Sequence, residues 1–109
     1  MKGEEAETRA LEHLLAQGHV LLERNYRIRG GEIDLITLEG EVMVFTEVKQ
    51  RKRGNFGTAL ESVSAKKVKL VRRAALRYMK RDDLFCRFDV IAIEGDPLSG
   101  ALIWVQDAF

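Results

Sequence analysis

Charged side chains interrupt two apolar segments that are predicted to form neighbouring strands. Asp34 lies within the apolar run 33–38, Glu47 lies within the run 42–48, and Lys49 directly follows that second run. Glu47 and Lys49 are two residues apart on one predicted strand, so their side chains lie on the same face of it. Two carboxylates and an ammonium group on one patch are what magnesium-dependent hydrolysis of a phosphodiester requires.

The register of the predicted hairpin decides whether the two carboxylates meet. A two-residue turn at 40–41, with glycine first, places Asp34 directly opposite Glu47. Side chains in that arrangement have Cβ atoms about 5 Å apart, and two like charges there repel each other. A turn at 39–40 would instead move Asp34 out of direct opposition. The first register creates a repulsion that a divalent cation with oxygen ligands would remove.

The carboxylates and the lysine would have distinct roles in such a reaction. A metal ion held by the carboxylates would polarise a phosphate and acidify a water molecule, while Lys49 would position that water or offset charge in the transition state. The alternative is an ordinary ladder of ion pairs in which Lys49 contacts Glu47 or Glu32. The acidic start of the predicted first helix offers Glu7, among others, as an additional carboxylate.

The charges of the chain are strongly segregated, although its net charge is only +1. Residues 49–81 contain twelve lysines and arginines and one acid, whereas the rest of the chain contains six basic and sixteen acidic residues. A basic segment that begins at the acidic patch favours nucleic acid as a partner, with binding that weakens steeply as salt rises. A solvated helix face with compensating ion pairs is the alternative. The sequence carries no motif for reading specific bases.

The composition is typical of one soluble globular domain, which we place at residues 1–109. No apolar run approaches the roughly 20 residues of a membrane-spanning helix, and the acidic start of the chain lacks the apolar core of a secretory signal. We therefore expect a cytoplasmic protein without a membrane partner. The lone Cys86 cannot form an internal disulfide and is interpreted as a small core residue.

The apolar periodicity predicts two helices and five strands. The predicted elements are a helix at 4–17, strands at 19–28, 33–38 and 42–48, a helix at 65–80, and strands at 87–94 and 101–106. Thr58 and Ser64 are both candidate N-caps before the second helix. The order α-β-β-β-α-β-β predicts an α/β fold with a mixed five-stranded sheet flanked by helices.

Several polar or aromatic residues outside the acidic patch are interpreted as structural. His13 and His19 have no partner at a metal-binding spacing. Trp104 and Phe109 are expected to pack in the core or at the chain end, with stacking on a nucleic-acid base as the alternative. Arg87 and Asp89 are expected to form a local ion pair at the start of a strand.

Asp34 and the segment 47–49, which reads Glu-Val-Lys, resemble the pattern of the PD-(D/E)XK, or restriction-endonuclease-like, nucleases. In those enzymes an acidic residue ends one strand and Glu-x-Lys lies on the next, although here Ile33 stands where the name has a proline. The segment 3–18 resembles the first helix of the archaeal Holliday-junction resolvases, in which a glutamate assists metal binding. Glu7 matches that glutamate.

The closest resemblance is to the YraN family of bacterial proteins. Five segments between residues 24 and 90 carry it: Arg24–Arg27, Gly31–Ile36, Phe45–Arg51, Lys66–Lys67 and Arg87–Val90. The resemblance implies a single-domain restriction-endonuclease-like fold in which the catalytic pattern is present.

The resemblance also implies roles for individual residues. Asp34 and Glu47 would bind Mg²⁺ or Mn²⁺ together with the main-chain carbonyl of Val48. Glu7 would be a third catalytic and metal-binding acid, and Lys49 would act on the attacking water. The residues expected to contact nucleic acid are Gln50, Arg51, Lys52, Arg53, Lys66, Lys67, Lys69 and Arg73. Lys66 and Lys67 are alternatives for the residue that approaches the acidic patch from the second helix.

Together these features predict a divalent-metal-dependent endonuclease that hydrolyses phosphodiester bonds in DNA, with branched or damaged DNA as a candidate substrate. A two-fold homodimer would suit a branched substrate, because it has two strands to cut. The alternative is a non-catalytic nucleic-acid-binding module that retains a nuclease-like fold. A purely structural protein–protein domain is a third interpretation, which predicts neither metal nor DNA binding.

Overall fold

The described part of the chain contains two helices and five strands in the predicted order. The computed structural model describes residues 3–51, 64–79 and 85–109. The elements are α1 (Glu4–Ala16), β1 (Val20–Ile28), β2 (Gly31–Glu39), β3 (Val42–Arg51), α2 (Ala65–Met79), β4 (Cys86–Glu94) and β5 (Ala101–Val105). The predicted α/β class, the mixed five-stranded sheet and the element order are therefore confirmed.

The strands form one sheet in the order β1-β2-β3-β4-β5. All neighbouring strands are antiparallel except β3 and β4, which are parallel. Antiparallel neighbours are joined by short turns, whereas parallel neighbours need a crossover connection. The segment between β3 and β4 contains α2 and supplies that crossover, so α2 follows β3, the strand that carries the predicted catalytic residues, along the chain.

Apolar side chains cover both faces of the sheet. One buried cluster joins α1 to Leu35, Ile91 and Ile93, and a second joins α2 to Ile36 and Phe45. Leu35 and Ile36 are consecutive and enter different clusters because successive side chains of a strand point to opposite faces. Neither helix of the described residues has the length and apolarity needed to cross a membrane.

β3 is longer than its apolar pattern predicts. The run of apolar residues ends at Val48, but the strand continues to Arg51. The extension has a long-range cause: Lys49 pairs with Ala92, and Arg51 pairs with Glu94, in the parallel ladder with β4. The backbone hydrogen bonds of that ladder hold polar residues in an extended conformation that their side chains do not signal.

Ser64 is the N-cap of α2. Its Oγ accepts a hydrogen bond from the backbone N–H of Lys67, with 3.1 Å between the two atoms, which satisfies one of the orphan donors of the first turn. This cap fixes where α2 begins and hence which residues of its first turn lie near β3. The other candidate cap, Thr58, lies outside the described residues, as does Lys80 at the predicted end of the helix.

The interpretation of Cys86 as a core residue was wrong, because Cys86 is exposed. Cys86 is the first residue of β4, and the surface of the preceding Phe85 is 73% exposed. The strand therefore begins at the rim of the sheet and enters the core a few residues later. His19, in contrast, is structural as predicted. Its buried ring bonds to Oγ1 of Thr37 and Oε2 of Glu39 at 2.8 and 3.1 Å.

The predicted ion pair of Arg87 and Asp89 is confirmed, and it is part of a larger buried network. The guanidinium of Arg87 donates two hydrogen bonds to the Asp89 carboxylate, at 2.8 and 2.9 Å. The indole N–H of Trp104 and the backbone N–H of Asp107 donate two more. Asp89 is fully buried, so these four donors replace water around its charge. The network joins β4 to β5 and to the chain end beyond β5.

Thr46 is a polar residue whose burial has no evident compensation. It is fully buried, and its Oγ1 has no hydrogen-bond partner within the parts of the chain that the structure describes. We expect the Thr46→Val variant to be stabilised by about 1 kcal/mol, because it removes a desolvated hydroxyl and keeps the side-chain shape. Chemical unfolding would measure the change.

Thr37→Val is the matched control for that substitution. Thr37 is equally buried, but its hydroxyl bonds to His19. The same change should therefore destabilise the protein by about 1 kcal/mol, because it leaves a buried ring nitrogen without its partner. Equal effects of the two substitutions would contradict the hydrogen-bond assignment.

Candidate active site

The β2–β3 hairpin brings Asp34 and Glu47 together. The turn begins at Gly40, whose φ angle is 59°, and the ladder pairs Glu39 with Val42 and continues to Leu35 and Thr46. This is the predicted register, and it is confirmed as far as Leu35 and Thr46, one residue before Asp34 and Glu47.

Asp34 also makes a direct contact with the backbone of β3. The N–H of Val48 donates a hydrogen bond to Oδ2 of Asp34, with 2.8 Å between nitrogen and oxygen. A side-chain carboxylate thus accepts the bond from β3 at the point where the regular ladder stops. This bond fixes the carboxylate of Asp34 beside the main chain of residues 47–48, where the predicted metal ligands lie.

Glu47 is a buried carboxyl group next to a second carboxyl group. Its surface is only 7% exposed. Burial, followed by the negative charge of Asp34 and a hydrogen bond with its carboxyl, raises the pKa of Glu47 to about 7, although the charges of Lys67 and Lys49 act in the opposite direction. An ordinary ion-pair ladder would favour ionisation of the acid. Here burial and the charge of Asp34 disfavour a negative charge on Glu47, even though Lys49 and Lys67 lie beside it.

Two lysines flank the Glu47 carboxylate, one at each oxygen. Nζ of Lys49 lies 3.7 Å from Oε1, and Nζ of Lys67 lies 3.5 Å from Oε2. Lys49 is on the same strand, whereas Lys67 comes from the first turn of α2. The choice between Lys66 and Lys67 is thereby decided, because Lys67 makes the contact and Lys66 is exposed.

This donor set fits a divalent cation. Two adjacent carboxylates, one of them buried, repel each other when both are ionised, and hard cations such as Mg²⁺ are bound through one or two carboxylates in many phosphate-handling sites. The residues that would hold it are Asp34 and Glu47, with the carbonyl of Val48 as the implied further ligand. The raised pKa of Glu47 is the observation that supports this fit.

Glu7 reaches the same region from α1. It lines a cleft of about 590 Å³ together with Asp34, and it accepts a hydrogen bond at Oε1 from Nδ2 of Asn25 at 3.2 Å. Burial, and secondarily the charge of Asp34, raises the pKa of Glu7. The other residues that line the cleft are Glu4, Arg24, Asn25, Arg27 and Glu32.

Glu7 does not join Asp34 and Glu47 in one group of ligands. Within the described residues, no three histidine, cysteine, aspartate or glutamate side chains form a group that could hold a metal ion. Glu7 therefore lies in the cleft beside Asp34, and its role as a third acid stays a prediction.

The predicted nucleic-acid contacts are distributed over β3 and α2. Gln50 and Arg51 lie in the extension of β3, where Nε2 of Gln50 donates to the carbonyl of Gly95 at 2.8 Å, and Nη1 of Arg51 donates to the carbonyl of Gln50 at 2.9 Å. Lys69 and Arg73 are exposed on α2. The remaining predicted contacts, Lys52 and Arg53, lie outside the described residues.

The sequence reasoning did not assign a role to the cleft residues of β1. Arg24 and Asn25 face α1, where Nη2 of Arg24 donates to Oγ1 of Thr8 at 3.2 Å and Asn25 bonds to Glu7. The sequence did mark Asn25 as unusual, because asparagine is depleted in strands. It lies inside an otherwise regular strand pattern.

Comparison with known proteins identifies close relatives over nearly the full length. A family model described as "Uncharacterised protein family UPF0102" matches residues 6–93. A UPF0102 protein of Deinococcus radiodurans is 49% identical over 106 residues, which cover 93% of this chain and 86% of that protein. A UPF0102 protein of Dechloromonas aromatica is 46% identical over 109 residues, or 99% and 88% of the two chains. A UPF0102 protein of Shewanella loihica is 46% identical over 110 residues, or 99% and 93%.

Proposed function

This chain belongs to the uncharacterised protein family UPF0102, and we propose that it is a divalent-metal-dependent nuclease that hydrolyses phosphodiester bonds in DNA. The observation that carries this proposal is the buried Glu47 carboxyl beside Asp34, with a pKa raised to about 7. Strongly perturbed carboxyl groups with specific charged partners are typical of functional sites. The resemblance of Asp34 and residues 47–49 to the PD-(D/E)XK pattern supports the same reaction.

Mg²⁺, or Mn²⁺ in its place, is the proposed cofactor. When bound, such an ion would supply Lewis-acid polarisation of the phosphate and a lowered pKa for water. Asp34 and Glu47 would hold it, with the main-chain carbonyl of Val48 as a further ligand. The bond from the N–H of Val48 to Asp34 supports this assignment, because it keeps the carboxylate oriented before the ion arrives.

Lys49 is the proposed residue that acts on the attacking water. Its ammonium group already lies beside Glu47, so it can hold a water or phosphate oxygen at the edge of the acidic pair. It also offsets the negative charge that accumulates as the oxygen of water bonds to phosphorus and the bond to the leaving oxygen breaks. Lys67 adds a second positive charge at the other carboxylate oxygen of Glu47.

The basic surface of α2 is the proposed docking face for the DNA backbone. Lys66, Lys69 and Arg73 are exposed on the helix whose first turn contacts Glu47 through Lys67. Contacts of this kind neutralise phosphates and release counterions, so binding would weaken as salt rises. They carry no sequence information, which favours recognition of DNA shape, such as a branch or a lesion.

Cleavage of a panel of branched, nicked and single-stranded DNA tests this function. With Mg²⁺ or Mn²⁺ present, we expect the protein to cut at least one substrate and to be inactive in a chelator. Glu47→Ala and Lys49→Ala should each lower the rate by roughly 100-fold or more, because each removes a group that acts in the transition state.

Glu41→Ala is a matched control for those two variants. Glu41 is an exposed glutamate at the hairpin turn between β2 and β3, so its removal changes the charge without touching the acidic pair. Its cleavage rate should equal that of the unmodified protein. Cleavage that persists unchanged in Glu47→Ala or Lys49→Ala would exclude the proposed site.

A non-catalytic nucleic-acid-binding module is the second candidate function. It is favoured by the two lysines that lie at the two oxygens of Glu47, because such a site could be a structural ion-pair cluster beneath a DNA-binding face. Tight binding to the same DNA panel without cleavage of any substrate, in either metal, would support it over the nuclease.

If the substrate is DNA, it also indicates where the protein would work in the cell and how many copies would act together. The relatives named above are bacterial proteins, and in a bacterium a DNA-cleaving enzyme would work in the cytoplasm. A two-fold homodimer would place two copies of the Asp34–Glu47 site on the two strands of a branched substrate. The cytoplasmic location and the homodimer are both part of this proposal, because both are inferred from a DNA substrate.

A further inference from the structure

Asn25 has a backbone conformation that is unusual inside a strand. Its φ angle is 53°, in the left-handed region, although its neighbours Arg24 and Tyr26 pair regularly with β2. L-residues other than glycine adopt this region at an energetic cost, and asparagine is among those that tolerate it best. Strained residues of this kind persist where the surrounding structure needs them, and they cluster at functional sites.

The unusual conformation of Asn25 accompanies a contact with α1. Its Nδ2 donates to Oε1 of Glu7 at 3.2 Å, and the preceding residue, Arg24, donates to Oγ1 of Thr8 at 3.2 Å. Two consecutive residues of β1 therefore hold two consecutive residues of α1. Only one of these two bonds involves a predicted catalytic acid.

Asn25 also lies at the register position of Asp34. Arg24 pairs with Leu35 and Tyr26 pairs with Ile33, so the residue between them is the one across from Asp34. Glu7, Asn25 and Asp34 line the same cleft of about 590 Å³. Asn25 thus connects the carboxylate of α1 with the strand that carries the first acid of the proposed active site.

We propose that Asn25 is a positioning residue that holds the Glu7 carboxylate in the cleft beside Asp34, so that Glu7 contributes to the binding of a divalent cation. This inference rests on the nuclease function proposed above. Mg²⁺ and Mn²⁺ sites keep several water molecules, so a carboxylate outside the pair of direct ligands can still stabilise the ion. The amide of Asn25 donates to Oε1 of Glu7, and Glu7 would contribute negative charge to the ion that Asp34 and Glu47 would hold.

The Asn25→Gly variant separates this role from a purely structural one. Glycine adopts a φ angle of 53° without strain, so the backbone is kept while the amide donor is removed. We expect the affinity for Mn²⁺, measured by titration calorimetry, to fall about tenfold, as is common when a partner of a metal-binding carboxylate is removed. A residue that only shaped the backbone would leave the affinity unchanged.

Two further variants show whether Asn25 acts through Glu7. In a Glu7→Gln background, the Asn25→Gly change should cause no additional loss of Mn²⁺ affinity, because the two residues act as one unit. Thr8→Val removes the neighbouring contact between α1 and β1 and is the matched control, with an affinity equal to that of the unmodified protein. A loss in Thr8→Val as large as that in Asn25→Gly would assign the effect to the packing of α1 and overturn the inference.

The outcomes for the inference and for the nuclease function are distinct. If the unmodified protein binds Mn²⁺ and Asn25→Gly binds it equally well, the positioning role of Asn25 is excluded while the metal site stands. If the unmodified protein and all variants fail to bind Mn²⁺, the proposed metal-dependent function fails, and the role of Asn25 fails with it.

Discussion

Without divalent ions at about pH 8, the Glu47→Gln variant is expected to melt roughly 10 °C or more above the unmodified protein, although it loses DNA cleavage. Burial and the charge of Asp34 raise the pKa of Glu47 from 4.5 to about 7 in the folded protein. The folded state therefore binds more protons than the unfolded state between these two values, and stability falls as pH rises through that interval. The loss is on the order of 3 kcal/mol.

Glutamine resembles the protonated form of Glu47 at every pH. The two proteins should thus have similar stability at about pH 4, and the variant should become the more stable one by about pH 8. Thermal melts in a chelator at the two pH values measure this difference. Parallel changes in melting temperature with pH for both proteins would contradict the unfavourable ionisation of Glu47.

Two controls connect this effect to the proposed site. Mg²⁺ should raise the melting temperature of the unmodified protein and not that of Glu47→Gln, because only the former keeps both carboxylates. Glu41→Gln, at the exposed turn, removes the same charge without changing a buried group and should follow the unmodified protein at both pH values. Glu47 would then be a residue that serves function and lowers the stability of the folded protein.

Asp89→Asn is expected to lower the free energy of unfolding by about 3–5 kcal/mol, the usual effect of breaking a buried ion pair. Asp89 is fully buried and accepts four hydrogen bonds, two of them from the guanidinium of Arg87. The asparagine amide has one acceptor oxygen, and its N–H groups would face other donors. The positive charge of Arg87 would also lose its closest counter-ion. Chemical unfolding measures the loss.

Asp107→Asn is the matched control for that substitution. Asp107 is exposed, its φ angle is 53°, and it joins the network through its backbone N–H rather than its carboxylate. Asparagine tolerates that conformation, so the change should stay within about 0.5 kcal/mol. A comparable loss of stability in both variants would show that the network depends on the chain end as a whole rather than on the Asp89 carboxylate.

Much of the fold follows from patterns between residues that are close in sequence. Runs of apolar residues indicate the strands of the hairpin, and glycine at position 40 favours the two-residue turn that brings Asp34 to Glu47, whereas the observed ladder excludes the alternative turn at 39–40. The cap at Ser64 is equally local. The pairing of Arg87 with Asp89 was predictable for the same reason, because residues two apart on a strand share a face.

Features that depend on contacts between residues far apart in the chain were mispredicted from the sequence or left undecided by it. The extension of β3 to Arg51 depends on a ladder with β4, some forty residues away along the chain. Cys86 reads as a core residue among aromatic neighbours, yet its place at the rim of the sheet exposes it. The donors from Trp104 and Asp107 complete the network around Asp89 only after β5 has packed beside β4.

The sequence by itself determined the element order and the chemical identity of the acids and lysine, and it limited the hairpin to two registers, since these depend on side-chain type and on spacing along one or two adjacent strands. Only the tertiary structure decided that Lys67 rather than Lys66 reaches Glu47, that Asn25 holds Glu7, and how deeply Glu47 is buried. The physical reason is that burial and contacts between separate elements depend on how helices pack across the sheet, which local periodicity does not encode.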